Sequence, residues 1–368
     1  IDQALMWEKI KEFNFGVDFA VLQNRINITA DAYRRLADGQ IMKSTVPLET
    51  GESSLTTNIG SVQNAGIELG VNFGVIRNQN FTWDVNVAFA RNWSKIKELP
   101  SGDDVSNNWF IGERLNVLRD YTYAGVITAD GVTMHTINGD KHYTLQEVYD
   151  KYGPKSPNKL KWYEGQMAVN DWNDDGKIND EDKQIYGCTD PKWTGSLSST
   201  MTYKGFDFSF MLYTKQGQWS RSYFHEQYMD ISDRGRQKMS FDYYIPAGTP
   251  VLDKATGDIT YLETPHMGAY PYPNNYEKTG GGYFSKSSSG VRYQKTSFVK
   301  VKNITLGYTF PKKWMSKIAV KHLRLYVNVL NPFCFTGYDG FDPEWASANL
   351  TDGGPASVTY QIGANIKF

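Results

Sequence analysis

Apolar and polar side chains alternate with a period of two along much of this chain. In the stretch 357–368, Tyr360, Ile362, Ala364, Ile366 and Phe368 fall on one face of an extended strand, and Thr359, Gln361, Gly363, Asn365 and Lys367 on the other. Near the start, Phe13, Phe15, Val17, Phe19 and Val21 alternate with Asn14, Gly16, Asp18 and Ala20. After a polar turn at Gln23-Asn24, Ile26, Ile28, Ala30 and Ala32 alternate with Arg25, Asn27, Thr29 and Asp31. A second hairpin runs Ile67, Leu69, Val71, Phe73, Val75, turns at 77–80, and returns through Phe81, Trp83, Val85, Val87 and Phe89. A third joins 193–203 to 206–213 about Lys204-Gly205. Further strands are predicted over 115–127, 298–310, 323–329 and the carboxy-terminus, giving about ten of membrane-crossing length.

The connections sort into two kinds. Short turns at 23–24, 77–80, 204–205 and 311–321 alternate with long segments at 43–64, 100–114, 128–192, 215–292 and 331–356. Short turns on one side, long loops on the other and an aromatic carboxy-terminus match an outer-membrane barrel, with apolar rows toward lipid and polar rows toward the lumen. The expected fold is therefore all-β, a transmembrane antiparallel β-barrel with long extracellular loops. A soluble β-sandwich shares the alternation but has less reason for the loop bias. It stands as the rival: a secreted, calcium-stabilised module that binds polysaccharide on its loops.

Composition fits the first reading. Aromatics at 14% and 33 glycines suit strands that end in aromatic girdles and are joined by turns. Mean hydropathy is −0.52, and no apolar run of about 18 residues occurs, so a transmembrane helix is excluded while half-apolar barrel strands are not. A net charge of −1 leaves no basic excess for a nucleic-acid partner. The amino-terminal residues carry no signal peptide, which an exported protein needs, so the chain is expected to be the carboxy-terminal piece of something longer.

One motif carries specific chemistry. Asp171, Asn173, Asp175, Asn179 and Asp182 occupy positions 1, 3, 5, 9 and 12 of a loop with Gly176 at 6 and Ile178 at 8, and Lys177 at 7 offers its backbone carbonyl. That spacing wraps oxygen ligands around Ca²⁺. The plainer alternative is an Asx-rich turn that holds no ion. The loop lies in 128–192, a segment in which no core is evident, and a structural ion is expected to stiffen it.

Nothing points to catalysis. His135, His142, His225, His266 and His322 form no ligand motif and each is read as a surface or loop histidine. No nucleophile elbow, phosphate loop or dinucleotide fingerprint occurs, and Gly280-Gly281-Gly282 reads as a flexible tip. Cys188 and Cys334 lack metal spacing; a disulfide and free thiols both remain open. Two loop stretches are rich in aromatics: Trp219, Tyr223, Phe224 and Tyr228, then Tyr270, Tyr272, Tyr276 and Tyr283. Such rings suit sugars or peptide side chains, and equally the packing of a long loop.

Several segments resemble, in order and over essentially the whole chain, the carboxy-terminal portion of the SusC/RagA-type TonB-dependent outer-membrane transporters. They are Trp7-Glu8-Lys9, Phe13 to Phe19, Asn58-Ile59-Gly60-Ser61, Asn64 to Leu69, Asp171 to Asp182, Tyr203 to Ser209, Val301 to Tyr308, Gly340-Phe341-Asp342-Pro343-Glu344 and the terminal Phe368. The resemblance implies part of a 22-stranded barrel that houses a plug, a SusD-like surface lipoprotein as partner, and import of glycans or peptides powered through TonB. The plug, the TonB-contacting segment and about half of the strands are not in this sequence. The family's acidic calcium-type loop maps onto Asp171, Asn173, Asp175, Asn179 and Asp182 without substitution. Location in the outer membrane of a Gram-negative bacterium follows as an expectation.

Overall fold

The computed structural model describes residues 5–45, 51, 54–58, 60–99, 102–152, 163–228, 242–272, 292–347 and 356–368. Nine strands form one antiparallel sheet: β1 (Lys9–Val21), β2 (Ile26–Asp38), β3 (Ser61–Arg77), β4 (Phe81–Glu98), β5 (Trp193–Tyr203), β6 (Phe206–Gln216), β7 (Phe298–Thr309), β8 (His322–Thr336) and β9 (Thr359–Lys367). Each pairs with the next along the chain, so the sheet is a continuous meander, and two packed sheets of a sandwich do not occur among the described residues.

The register sets the alternating rows side by side. Phe19, Ile28, Val71 and Val87 lie in one row across β1 to β4, and Val17, Ala30, Leu69 and Phe89 in the next. At the far edge Leu325, Val327 and Val329 sit opposite Ala364, Ile362 and Tyr360. A one-residue slip anywhere would turn these rows inside out, which is why the pattern fixes the register. The apolar face is bare: Phe13 is 70% exposed and Ile362 87%. The other face carries Asn27, Asn72, Asn86, Ser198, Asn328 and Gln361, with cross-strand bonds such as Asn328 Nδ2 to Gln361 Oε1 at 3.0 Å. Apolar outside and polar inside is the inverse of a water-soluble sheet.

Turn chemistry closes the short ends. Lys204 and Gly205 both have positive φ, 46° and 94°, as a two-residue hairpin with matching twist requires. A Cβ on Gly205 would also come within 2.8 Å of the Thr309 carbonyl oxygen. Where β3 meets β4 the register shifts between Gly74 and Ile76, so Ile76 takes the place opposite Trp83 that alternation gives to Val75. Arg25 braces this bulge by donating to the carbonyls of Gly74 (3.1 Å) and Val75 (2.6 Å).

The sequence expectation fails at 115–127. Instead of crossing the sheet, this stretch breaks into Val117–Tyr121, paired with Lys183–Cys188, and Tyr123–Val126, paired with Met167–Val169. The segments 100–114 and 128–192 thus merge into one insertion between β4 and β5, and the wall has nine strands. Gly125 at φ 133° and the change of partner after Tyr121 interrupt what looked like a continuous strand. The insertion also has the core that the sequence reading denied it: Ile127, Val132, Met134, Val148, Tyr149, Tyr152, Tyr163, Ala168 and Val169. Much of this core comes from a helix, α1 (Leu145–Tyr152), whose Val148, Tyr149 and Tyr152 are spaced to face one side. A capping box starts it, with Thr144 N donating to Glu147 Oε2 at 2.8 Å and Glu147 N to Thr144 Oγ1 at 3.3 Å.

Candidate functional site

The calcium-type loop sits against the end of α1. Asp171 and Asp182, its first and last positions, are fully buried. Asp171 Oδ2 accepts from Gly176 N (2.9 Å), Tyr152 Oη (2.6 Å) and Lys151 Nζ (3.2 Å), whereas its Oδ1 is buried with no hydrogen-bond partner. Asp182 takes Asn173 N (3.3 Å) on one oxygen and Asn179 N (2.9 Å) on the other. Asn173 Oδ1 accepts from Asp175 N at 3.1 Å, and Asp175 Oδ1 from Lys177 N at 2.7 Å. Gly176 at φ 83° makes the sharp turn. Burial pushes the Asp182 carboxyl upward, with the charge of Asp171 adding to it and three backbone N–H groups opposing.

These residues fit a cation. An orphaned carboxylate oxygen is costly to bury, and a hard ion is the usual remedy. Among the described residues no three His, Cys, Asp or Glu side chains converge, so the cradle would draw on Asn oxygens and backbone carbonyls as well. Lys151 already supplies part of the compensating charge. Added Ca²⁺ is expected to slow amide exchange over 171–182 in the purified protein, and Asp171→Asn to weaken Ca²⁺ binding by roughly tenfold or more. Unchanged exchange on Ca²⁺ addition would leave the Asx-turn alternative standing.

The aromatic candidates separate into two groups. Trp219, in the short strand Trp219–Arg221 paired with Tyr293–Lys295, packs 5.7 Å from the Tyr186 ring and lies under Lys295 Nζ at 5.4 Å. Tyr223 is half-buried beneath the Arg221 guanidinium, 5.5 Å from its ring centre. Tyr270 stacks on His225 at 5.8 Å and 24°, and Tyr272 docks its backbone N–H on the Gly165 carbonyl at 2.7 Å. The side chain of Tyr228 and all of Tyr276, Tyr283 and Gly280-Gly281-Gly282 lie outside the described residues. Trp219 and Tyr270 therefore act at least partly as loop packing.

His225 is not a surface histidine. It begins as a short-helix residue next to Ser222, and both are fully buried. Ser222 Oγ lies 2.7 Å from His225 Nδ1 and 2.6 Å from Tyr338 Oη, while Tyr270 Oη lies 3.4 Å from His225 Nε2 and bonds to Asp339. One network thus ties together the segments 219–228, 242–272 and 337–347. Burial pushes the imidazole down to about 4, against the pull of the Asp339 carboxylate. Above pH 6.5 the ring is neutral whether the loops are docked or not. As pH falls from about 6.5 to about 4, only the undocked loops take up the proton, so docking weakens across that window and is lowest below it. Exchange of the 219–225 amides should accelerate between those pH values beyond the intrinsic trend, and His225→Gln should remove the effect. The lone position of His225 in sequence carried no signal of this.

A second buried network fixes the β8–β9 loop. Lys300 Nζ lies 2.6 and 2.9 Å from the two Asp342 oxygens and 2.6 Å from Glu344 Oε2, and Lys302 Nζ lies 2.8 Å from the same Glu344 oxygen. Lys300 and Lys302, two residues apart on β7, share the side opposite Val301, and the register shift at Lys302 brings Asn303 to that polar side as well. Cys334, opposite Lys300, is exposed and Cys188 is buried; both are free thiols.

Comparison with known proteins agrees with this architecture. Residues 2–331 match the family model described as TonB dependent receptor-like, beta-barrel. TonB-dependent receptor P39 of Formosa agariphila is 29% identical over 395 residues, an alignment covering 99% of this chain and 36% of that protein. TonB-dependent receptor SusC of Bacteroides thetaiotaomicron is 28% identical, covering 100% and 32%. In fold the chain is similar to a chain of the RagAB peptide transporter, with a TM-score of 0.64 at 20% identity, covering 98% of this chain and 36% of that one. It thus spans about a third of the length of these relatives. The nine-stranded wall, its inverted polarity and the match over 2–331 together place this chain in the TonB-dependent receptor β-barrel family.

Proposed function

We propose that this chain supplies the carboxy-terminal strands of an outer-membrane importer in a Gram-negative bacterium, one that takes up an oligosaccharide or a peptide with energy relayed by TonB. The observation that carries the proposal is the bare apolar face of the nine-stranded meander backed by a polar one, which suits a wall between lipid and a plugged lumen. The similarity to SusC and to a chain of the RagAB peptide transporter supports a nutrient of the glycan or peptide class and a SusD-like lipoprotein partner. In this reading, 1–368 is barrel and loops, a plug and further strands belong to the rest of the protein, and the insertion and the aromatic loops face outward to the ligand. Ca²⁺ would be structural, and no catalytic step is assigned.

The rival sandwich loses its basis, because one meander replaces two packed sheets. The test is fractionation and uptake in the native host. Recovery in the outer membrane, with uptake of a defined glycan or peptide lost both in a deletion strain and in a TonB-deficient strain, is expected. A water-soluble protein, or uptake indifferent to TonB, would overturn the proposal.

A further inference from the structure

A polar cavity of about 650 Å³ opens beside the neck of the insertion, and one of its lining residues, Arg292, accepts from Ser222 N at 2.6 Å through its backbone carbonyl. Three cations from three segments line it: Arg119 on Val117–Tyr121, Lys183 on Lys183–Cys188, and Arg292 beside Tyr293–Lys295. Two of them are matched. Arg292 bonds to the buried Asp120, which also accepts from Tyr293 Oη at 2.9 Å, and Lys183 Nζ lies 2.6 Å from Asp180. Arg119 is not matched. It donates to the Asp180 backbone carbonyl at 2.7 Å and lies 5.8 Å from the Phe110 ring centre, and although its charge helps hold the Asp180 carboxyl low, among the described residues no carboxylate lies within ion-pair distance of it.

The pairs also hold the cavity in shape. Tyr121 sits directly across from Lys183 in the ladder, with the ammonium 5.1 Å from its ring centre, so Arg119, Tyr121 and Lys183 share one face. The Asp120–Arg292 contact ties that strand to the segment leading into β7. A guanidinium held by one carbonyl and backed by the Phe110 ring presents its remaining donors in a rigid fork, which matches a carboxylate. The volume is in the range of small-ligand sites.

We infer that this cavity recognises a carboxylate on the transported ligand, with Arg119 as the contact and Lys183 and Arg292 as flanking charge. The inference rests on the importer reading for the word transported, but its test is binding alone. Both ligand classes of that reading offer the chemistry: a uronate on a sugar, or an acidic group on a peptide. An anion entering here meets one net positive charge, because the two carboxylates that line the cavity offset two of its three cations.

The experiment is calorimetric titration of the full-length protein in detergent with two matched pairs: a trigalacturonate against its methyl ester, and a glutamate-containing tetrapeptide against its glutamine counterpart. Wild type is expected to bind the acid of one pair roughly tenfold or more tighter than its neutral partner. That pair identifies the source of the carboxylate. Arg119→Gln should erase the preference and leave the neutral partner's affinity unchanged, Arg119→Lys should keep part of it, and added salt should weaken only the acid. No preference in either pair, or a preference that survives Arg119→Gln, would overturn the inference. Binding with the expected preference but without TonB-dependent uptake would leave the site standing and remove the importer reading instead.

Discussion

Lys300→Met is expected to undock the loop between β8 and β9 at a cost of about 3–5 kcal/mol, because it leaves buried acid without its counter-charge. Lys300 is 3% exposed and Asp342 7%, so water cannot take over the role of the ammonium. After the substitution Asp342 keeps, among the described residues, only backbone donors, Glu344 N at 2.9 Å and Ala356 N at 3.4 Å. Glu344 keeps Lys302, which is more exposed, and Lys302→Met should therefore cost far less. Amide exchange over 337–347 reads the effect directly, with the β7–β8 ladder as internal reference. Protection that stays at the wild-type level in Lys300→Met would show that the ion network does not hold the loop. The double variant Lys300→Met with Asp342→Asn separates the lost contact from the stranded charge, and should recover part of the protection.

Leu69→Arg is expected to destabilise the wall by about 2–4 kcal/mol when the protein is folded in lipid. Leu69 lies on the apolar face between Ala30 and Phe89, flanked by the rows of Ile67 and Val71, far from either strand end. An arginine there cannot reach the interface without bending past two rows of apolar neighbours. Asn86→Arg is the matched control, since Asn86 faces the polar side opposite Asn72 and Ser198 and should tolerate the charge. Reversible urea unfolding in lipid vesicles measures both. Equal costs for the two variants would mean that the faces have been assigned wrongly.

How much of this was legible in sequence follows from the period of each element. The outer rows were readable because period two leaves only two faces. The terminal strand pairs as the alternation required, with Tyr360, Ile362 and Ala364 against Val329, Val327 and Leu325. The bulge at Val75 was invisible, since the extra residue is itself apolar and only the Arg25 contacts to Gly74 and Val75 show why it is held. The insertion was misread for a related reason. A search for alternating strands passes over α1, whose Val148, Tyr149 and Tyr152 follow a helical period, and joins two short strands with different partners into one long strand.

The candidate sites divide in the same way. The turn at 171–182 was legible because its bonds are local in sequence, as in Asp175 N to Asn173 Oδ1, Gly176 N to Asp171 Oδ2 and Asn179 N to Asp182 Oδ2; whether it holds an ion is left to the Ca²⁺ titration. Asn170, one residue ahead of it, was missed although its Oδ1 holds His135 N at 2.8 Å and its Nδ2 reaches Thr122 at 2.7 Å. Such contacts join residues tens of positions apart and leave no mark on a linear pattern. The same holds for Ser222, His225, Tyr338 and Asp339, and for Arg119 with Lys183 and Arg292.

The zipped neck of the insertion has a consequence for the order of folding. Val117–Tyr121 pairs with Lys183–Cys188, Thr189 N donates to Asn116 O at 3.0 Å, and Arg114 reaches the Asp190 carbonyl at 3.1 Å. Until that neck closes, β4 can find β5 only by closing a loop of residues 99–192. Once it has closed, the free tether is roughly a quarter as long, which lowers the entropic barrier to registering the two strands by about 1 kcal/mol. A hairpin-by-hairpin wall would then assemble in two blocks, β1–β4 and β5–β9, with the insertion as the early-folding clasp that brings their edges together.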